Sequence, residues 1–196
     1  KLVCSIPFTP ASGPRILISD QTKEDEVIKI ISKSLQDLAE DQNFSSVHIL
    51  LAEKDEITKF SQEDFSLRTS YSFHWFNKEY EDFDSFLQDM TSRQRKNIRK
   101  ERDKISKQGV TLSRIKGEDI TIKMIETFYQ FYQVTYLKRG MRGYLNFEFF
   151  KAIVECVPES IMLVLAKNID GNFVAGALNF YDDKKLYGRY WGCLEE

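Results

Sequence analysis

Histidine, cysteine and proline are scarce in this chain, and neither sign of charge dominates it. Of 196 residues, two are histidine, three are cysteine and four are proline, and the net charge is −2. The thiols, Cys4, Cys156 and Cys193, are too widely spaced for the short ligand pairs of a zinc site. An odd, dispersed set of cysteines reads as reduced thiols in a cytoplasmic protein, not as a disulfide frame. No apolar run approaches the ~20 residues of a membrane span. A P-loop and a G-x-S-x-G elbow are both absent. The balanced charge argues against a general nucleic-acid binder, so a charged partner has to be held by a local patch.

What is present is an ordinary core-forming composition, 42% hydrophobic and 30% charged. It fits one larger domain or two small ones. The opening "KLVCSIPF" reads as a strand, not as a signal peptide, and the chain starts inside a structural element, as a fragment of a longer protein does. "RILIS" reads as a second short strand, followed by a helix with Glu24, Asp25 and Glu26 in its first turn. "SSVHILLA" is a strand and "KDEITKFSQEDF" a short helix. "RTSYSFHWFN" alternates as an aromatic strand does, and the linker falls within Phe65 to Tyr80. Helices follow from Asp82, from Thr91 or Ser92 to a stop at Gly109, across "EDITIKMIETFYQFYQVTYLKRG", and from Asn146. "VTLSRI" adds a strand. The tail from Ser160 reads as three strands turned at Asp170-Gly171 and at Asp182 to Lys184. The order of elements defines an α/β, mixed α+β class, divided into residues 1–70 and 71–196.

The main charge anomaly is "SRQRKNIRKERDKISKQG". A narrow stripe of Met90, Gln94, Ile98, Glu101 and Ile105 is suited to seat this helix on a core. Arg95, Arg99 and Arg102 cluster on one side, with Lys96, Lys100 and Lys107 on another. Arginine forks match phosphate or carboxylate, so Arg95, Lys96, Arg99 and Arg102 are candidate ligands for an anion. A solvated face paired with acidic surface explains the same pattern.

Three further stretches offer chemistry. His74 in "FHWFNKEY" is a candidate general base, and a packed aromatic seam around a hydrogen-bonded histidine is the alternative. His48 reads as structural. The loop from Lys138 to Gly143 is basic and punctuated by glycine, which makes Tyr136, Arg139, Arg142 and Tyr144 substrate-contact candidates or parts of a plain helix connection. In the last strands Gly176, Asn179, Tyr187, Arg189, Tyr190 and Trp191 are placed to line a cleft. Glu195 and Glu196 are carboxylates near it, and Glu196 is a second candidate base.

"VCSIPFTPASGPRILI", "FHWFNKEYEDFDSFLQDMTSRQRKNIRKER", "FYQFYQVTYLKRGMRGYLNFEFF" and "GALNFYDDKKLYGRYWGCLEE" together resemble the bacterial GNAT-superfamily N-acyltransferases predicted to act in peptidoglycan biosynthesis or recognition. These are relatives of the Fem-type aminoacyltransferases. The basic stretch is similar to the helix that opens the second GNAT-like half of Fem-type proteins. The resemblance implies parts of two GNAT-like halves, the end of one and the start of another. It implies transfer of an acyl or aminoacyl group from acyl-CoA or aminoacyl-tRNA to an amine of a cell-wall precursor. Under it, a strand backbone polarises the acyl carbonyl and no covalent intermediate forms. The Arg/Gln-x-x-Gly-x-Gly/Ala pyrophosphate loop of such enzymes is missing, and "RGMRGY" imitates its composition between helices, not after a strand. A noncatalytic module that grips a polyanion (a nucleotide-linked precursor or RNA) through the basic helix is the second reading. The complementary incomplete halves also allow a homodimer by exchange.

Overall fold

The computed structural model describes residues 1–71 and 73–194, with the side chain of Gln21 left aside. The chain forms two compact units, 1–76 and 77–196. It is a mixed α/β protein with helices and two sheets.

In the first unit, strand β1 (Leu2–Cys4) pairs in parallel with β2 (Val47–Ile49), joined through helix α1 (Glu24–Asp41). The acidic first turn of α1 suits the positive end of its dipole, and Lys59 of helix α2 (Lys54–Ser61) bridges Glu24 at 2.6 Å and Asp25 at 2.9 Å. Glu56, in the first turn of α2, is buried. Its carboxylate accepts from the backbone N–H of Arg15 at 2.8 Å, Ile16 at 2.9 Å and Glu53 at 3.2 Å. This explains why "RILIS" is not a strand. The backbone N–H groups of Arg15 and Ile16 are taken by a carboxylate, so no ladder starts there.

The expected strand over "RTSYSFHWFN" is absent as well: among its described residues none lies in a helix or strand. Nor is it a packed seam, since Tyr71 is 95% and Phe73 98% exposed. A strand needs an edge to pair with, and among the described residues this segment is paired with none.

The second unit begins with helix α3 (Phe83–Gln88), capped by Asp82, whose Oδ1 accepts from Ser85 N–H at 2.7 Å. Asp89 follows, and its Oδ2 accepts from Lys78 Nζ at 2.9 Å and from the Tyr80 hydroxyl at 2.5 Å. Thr91 caps the basic helix α4 (Ser92–Lys107), reciprocated by Gln94. Gly109, at φ +68°, ends it in the left-handed conformation, as expected of a C′ glycine.

The core is built by the remainder. Strand β3 (Thr111–Lys116), β4 (Ile161–Lys167), β5 (Phe173–Tyr181) and β6 (Leu186–Cys193) form an antiparallel sheet in that order. Helix α5 (Ile122–Leu137) packs on β5 and β6, with α6 (Phe147–Cys156) beside it, capped by Asn146. Phe128, Phe131, Tyr132 and Phe150 are essentially sealed against Leu163, Leu165 and Leu178. Burying each such side chain is worth about 1.5–3 kcal/mol. Gly176 belongs to this core, not to a cleft: a Cβ there would meet Leu165, Phe131 and Phe128 at 3.0–3.3 Å.

Helix α4 does not sit on that core, contrary to the expectation from its apolar stripe. It has no buried residue, and Ile105 is 42% exposed. Two isoleucines in four turns offer too little apolar area, and the surrounding charges remain solvated.

Candidate functional site

Helix α5 approaches β6 so closely that its backbone touches the strand. A Cβ on Gly192 would overlap the carbonyl of Phe131 and lie 2.5 Å from Thr135 Oγ1. The Thr135 hydroxyl lies 3.0 Å from the Phe131 carbonyl, one turn back, and 3.2 Å from the carbonyl of Trp191. This seam places the tyrosines of α5 against β6.

Tyr132 and Tyr136 lie one turn apart on α5, ring centroids 4.8 Å apart. The α5–α6 loop brings Tyr144 against both, at 6.4 and 5.6 Å, edge to face. Gly143 permits the approach, since a Cβ there would meet the Tyr132 ring at 2.5 Å. The Tyr132 hydroxyl accepts from the N–H of Leu145 at 3.2 Å. From β6, the buried Tyr190 stands 5.6 Å from Tyr132, edge to face.

Arg189 arrives through an irregularity. Leu178 of β5 is paired with Tyr190, but Asn179 is paired with Gly188, so Arg189 is the extra residue of a β-bulge. In a regular strand, residues 189 and 190 point to opposite faces. Here the guanidinium lies over the Tyr190 ring, 4.5 Å from its centroid, and Nη2 donates to the Tyr144 hydroxyl at 3.3 Å. Four phenols and one guanidinium therefore converge.

Their electrostatics favour donation. Burial pushes Tyr132 above the ordinary phenol range. Burial, with hydrogen bonding to Tyr144, pushes Tyr136 well above it. Tyr190 is pushed up to about 12, chiefly by burial, with the Arg189 charge pulling the other way. At neutral pH these hydroxyls keep their protons. Tyr132, Tyr136 and Tyr190 are therefore suited to donate hydrogen bonds to an oxygen or an anion and poorly suited to act as bases.

Of the residues singled out in sequence, Tyr144 and Tyr190 meet in this cluster, with Tyr136 and Arg189. Trp191 points away, 60% exposed, and contributes its carbonyl to the seam. Arg139 and Arg142 are exposed on the same loop. On α4, Arg95, Arg99 and Arg102 turn toward their own unit. Arg95 donates to Met90 O at 2.6 Å and to Ser92 Oγ at 3.1 Å. Arg99 pairs with Asp84 at 2.8 Å, and Arg102 lies 4.0 Å over Phe83. Lys96, by contrast, has no partner among the described residues, and nor do Lys100, Lys104 and Lys107. His74 is exposed and stacked on Phe76 at 6.1 Å, with no acid aligned to it. Glu195 and Glu196 lie outside the described residues. Tyr132, which reads as core in the sequence, belongs to the cluster. The glycines at 188 and 192 that flank "RYW" were the available signal.

Among the described residues there is no group of three or more His, Cys, Asp or Glu side chains that could hold a metal ion. Among the described residues no helix is long and apolar enough to cross a membrane.

An antiparallel sheet carrying a helix pair, with a donor-rich phenol cluster where helix and edge strand meet, makes this a mixed α/β protein whose architecture is consistent with an α+β acyltransferase-like fold. The whole chain, residues 1–196, matches the FemAB-like family described as peptidoglycan biosynthesis/recognition, and the protein belongs to that family. No curated protein matches the chain.

Proposed function

We propose that the chain is part of an N-acyltransferase of GNAT type that modifies an amine of a peptidoglycan precursor. The observation that carries this reading is the bulge at Arg189, which delivers a guanidinium to the phenols beside strand β6. A cell-wall precursor carries carboxylate and phosphate groups, the chemistry a guanidinium–phenol site recognises. The family, with its role in peptidoglycan biosynthesis or recognition, supports the same substrate class.

In the transfer itself, the amine nitrogen attacks the acyl carbonyl carbon and the bond to the donor's sulfur or oxygen breaks. The amine proton passes to solvent or to the leaving group, because Tyr132, Tyr136 and Tyr190 hold their own protons. Acyl-CoA and aminoacyl-tRNA are the donors of this chemistry. The phenols orient the acceptor and hold its charge.

Thermal shift with acyl-CoAs and with nucleotide-linked muropeptide precursors tests the reading. Both classes stabilise an acyltransferase by linkage, and stabilisation by neither would overturn it. A second reading rests on α4. Lys96, Lys100, Lys104 and Lys107 span about 16 Å along the helix without partners, a row suited to a polyanion. A response to RNA alone would favour it.

A further inference from the structure

The first unit leaves one sheet edge open and one aromatic segment uncovered. β1 occupies one side of β2, and among the described residues no strand occupies the other. Along that other side runs a groove of about 980 Å³. One wall is residues 47–52, which contain β2. The other includes Phe65, Leu67 and Ser70, and Phe60 of α2 also contributes. None of the β1 residues lines it, which places the groove on the unpaired edge of β2. Leu50, Leu51 and Leu67 are 42%, 44% and 63% exposed there. An open edge beside exposed apolar side chains is a template for one more strand.

The chain carries a segment of matching chemistry. Immediately after the groove's rim at Ser70 come Tyr71 and residues 73–76, with strand-type alternation and no helix or strand of their own. Tyr71, Phe73, Trp75 and Phe76 are 95%, 98%, 64% and 75% exposed. The segment springs from the rim of the groove and leads on to Asn77. The equivalent segment of a second copy meets no such constraint. Six residues numbered 71–76 reach about 20 Å in strand form, more than enough to run along the three residues of β2, Val47–Ile49.

We infer that two copies of the chain exchange these aromatic arms, each arm lying as a third strand along the open edge of β2 in the other copy. The exchange is two-fold by construction, since groove and arm sit on one unit and each copy offers both. The area suffices. Large aromatic side chains bury about 150–250 Å² each, so one arm brings roughly 500–800 Å². Two arms and the groove walls they cover exceed the ~1,200 Å² at which stable interfaces begin. The arrangement also accounts for a strand-forming sequence that finds no strand in its own chain. It does not depend on the acyltransferase reading.

Light scattering coupled to size exclusion, from low micromolar to several hundred micromolar chain, tests it. The expected result is a dimer whose share rises with concentration. The triple variant Tyr71→Ser, Phe73→Ser, Phe76→Ser runs as a monomer with unchanged circular dichroism, because these side chains are largely exposed and lie in no helix or strand. Amide hydrogen exchange supplies the second measurement: protection at Val47 to Ile49 falls about tenfold or more in the triple variant. A chain monomeric at every concentration overturns the proposal. So does a dimer that survives the triple substitution, which would place the interface elsewhere, or β2 protection that is independent of the arm.

Discussion

Arg189 and Tyr144, 45 residues apart in sequence, meet with the guanidinium Nη2 3.3 Å from the phenol oxygen. The contact exists because one residue too many has been fitted into β6. It joins the edge strand to the loop between α5 and α6, and it puts the positive charge of the cluster next to its most exposed phenol.

Replacing Arg189 by Gln removes that charge but keeps the bulge. Binding of an anionic muropeptide precursor is expected to weaken by roughly tenfold to a hundredfold, the range of one charge-assisted contact. Isothermal titration measures it. Because the guanidinium holds Tyr190 down against the effect of burial, the same variant also raises the titration point of Tyr190, visible in the phenolate absorbance. A structural role alone leaves the precursor affinity unmoved.

Alkaline pH separates the buried phenols from the surface ones. Tyr190 titrates at about 12 in the fold, against ~10 in the unfolded chain. Its raised value means that its contribution to stability is complete below about pH 10 and is lost as pH climbs from about 10 to about 12. Tyr132 and Tyr136 are shifted in the same direction. Denaturant midpoints are therefore expected to fall through that window, and Tyr190→Phe reduces the fall. A midpoint already falling near neutral pH would point to other groups.

Glu56 tests the frame of the first unit. Glu56→Ala leaves the N–H groups of Arg15, Ile16 and Glu53 without their carboxylate, at a cost on the order of 1–3 kcal/mol or more. Glu56→Gln keeps one acceptor and loses less. Urea titration read on the first unit is expected to rank them in that order.

On α4 the two basic sets should part company. Lys96, Lys100 and Lys104 changed together to Gln flatten the salt dependence of any polyanion binding. Arg99→Gln instead loosens the contact to Asp84, an exposed pair worth at most about 1 kcal/mol, and leaves the salt slope nearly intact. Equal effects of the two changes on the slope would refute the division.

Much of this architecture was legible in the residues. The caps at Asp82, Thr91, Asn146 and the stop at Gly109 announce their helices through local chemistry alone, and the structure places the helices there. The three last strands were legible through Asp170-Gly171 and Asp182 to Lys184. What failed depended on partners distant in sequence. "RILIS" has strand composition, yet Glu56 claims its backbone from some 40 residues away. "RTSYSFHWFN" has the right alternation, yet none of its described residues pairs as a strand. For the site, residue type pointed to Tyr144 and Tyr190. A bulge, however, is a mismatch between two strands, and neither strand shows it alone.

The close approach of Gly192 to the Phe131 carbonyl leaves no room for a Cβ and so sets how near α5 lies to β6 at this point. With no side chain at Gly192 to hold helix and strand apart, the spacing of the phenols on α5 from Tyr190 on β6 works as a fixed gauge. The α5–α6 loop and the bulge are then the adjustable jaws. Related chains that accept different substrates are expected to vary around residues 138–146 and 188–189 while keeping glycine at the seam, so that selectivity drifts at the rim and the calibre of the site is inherited unchanged.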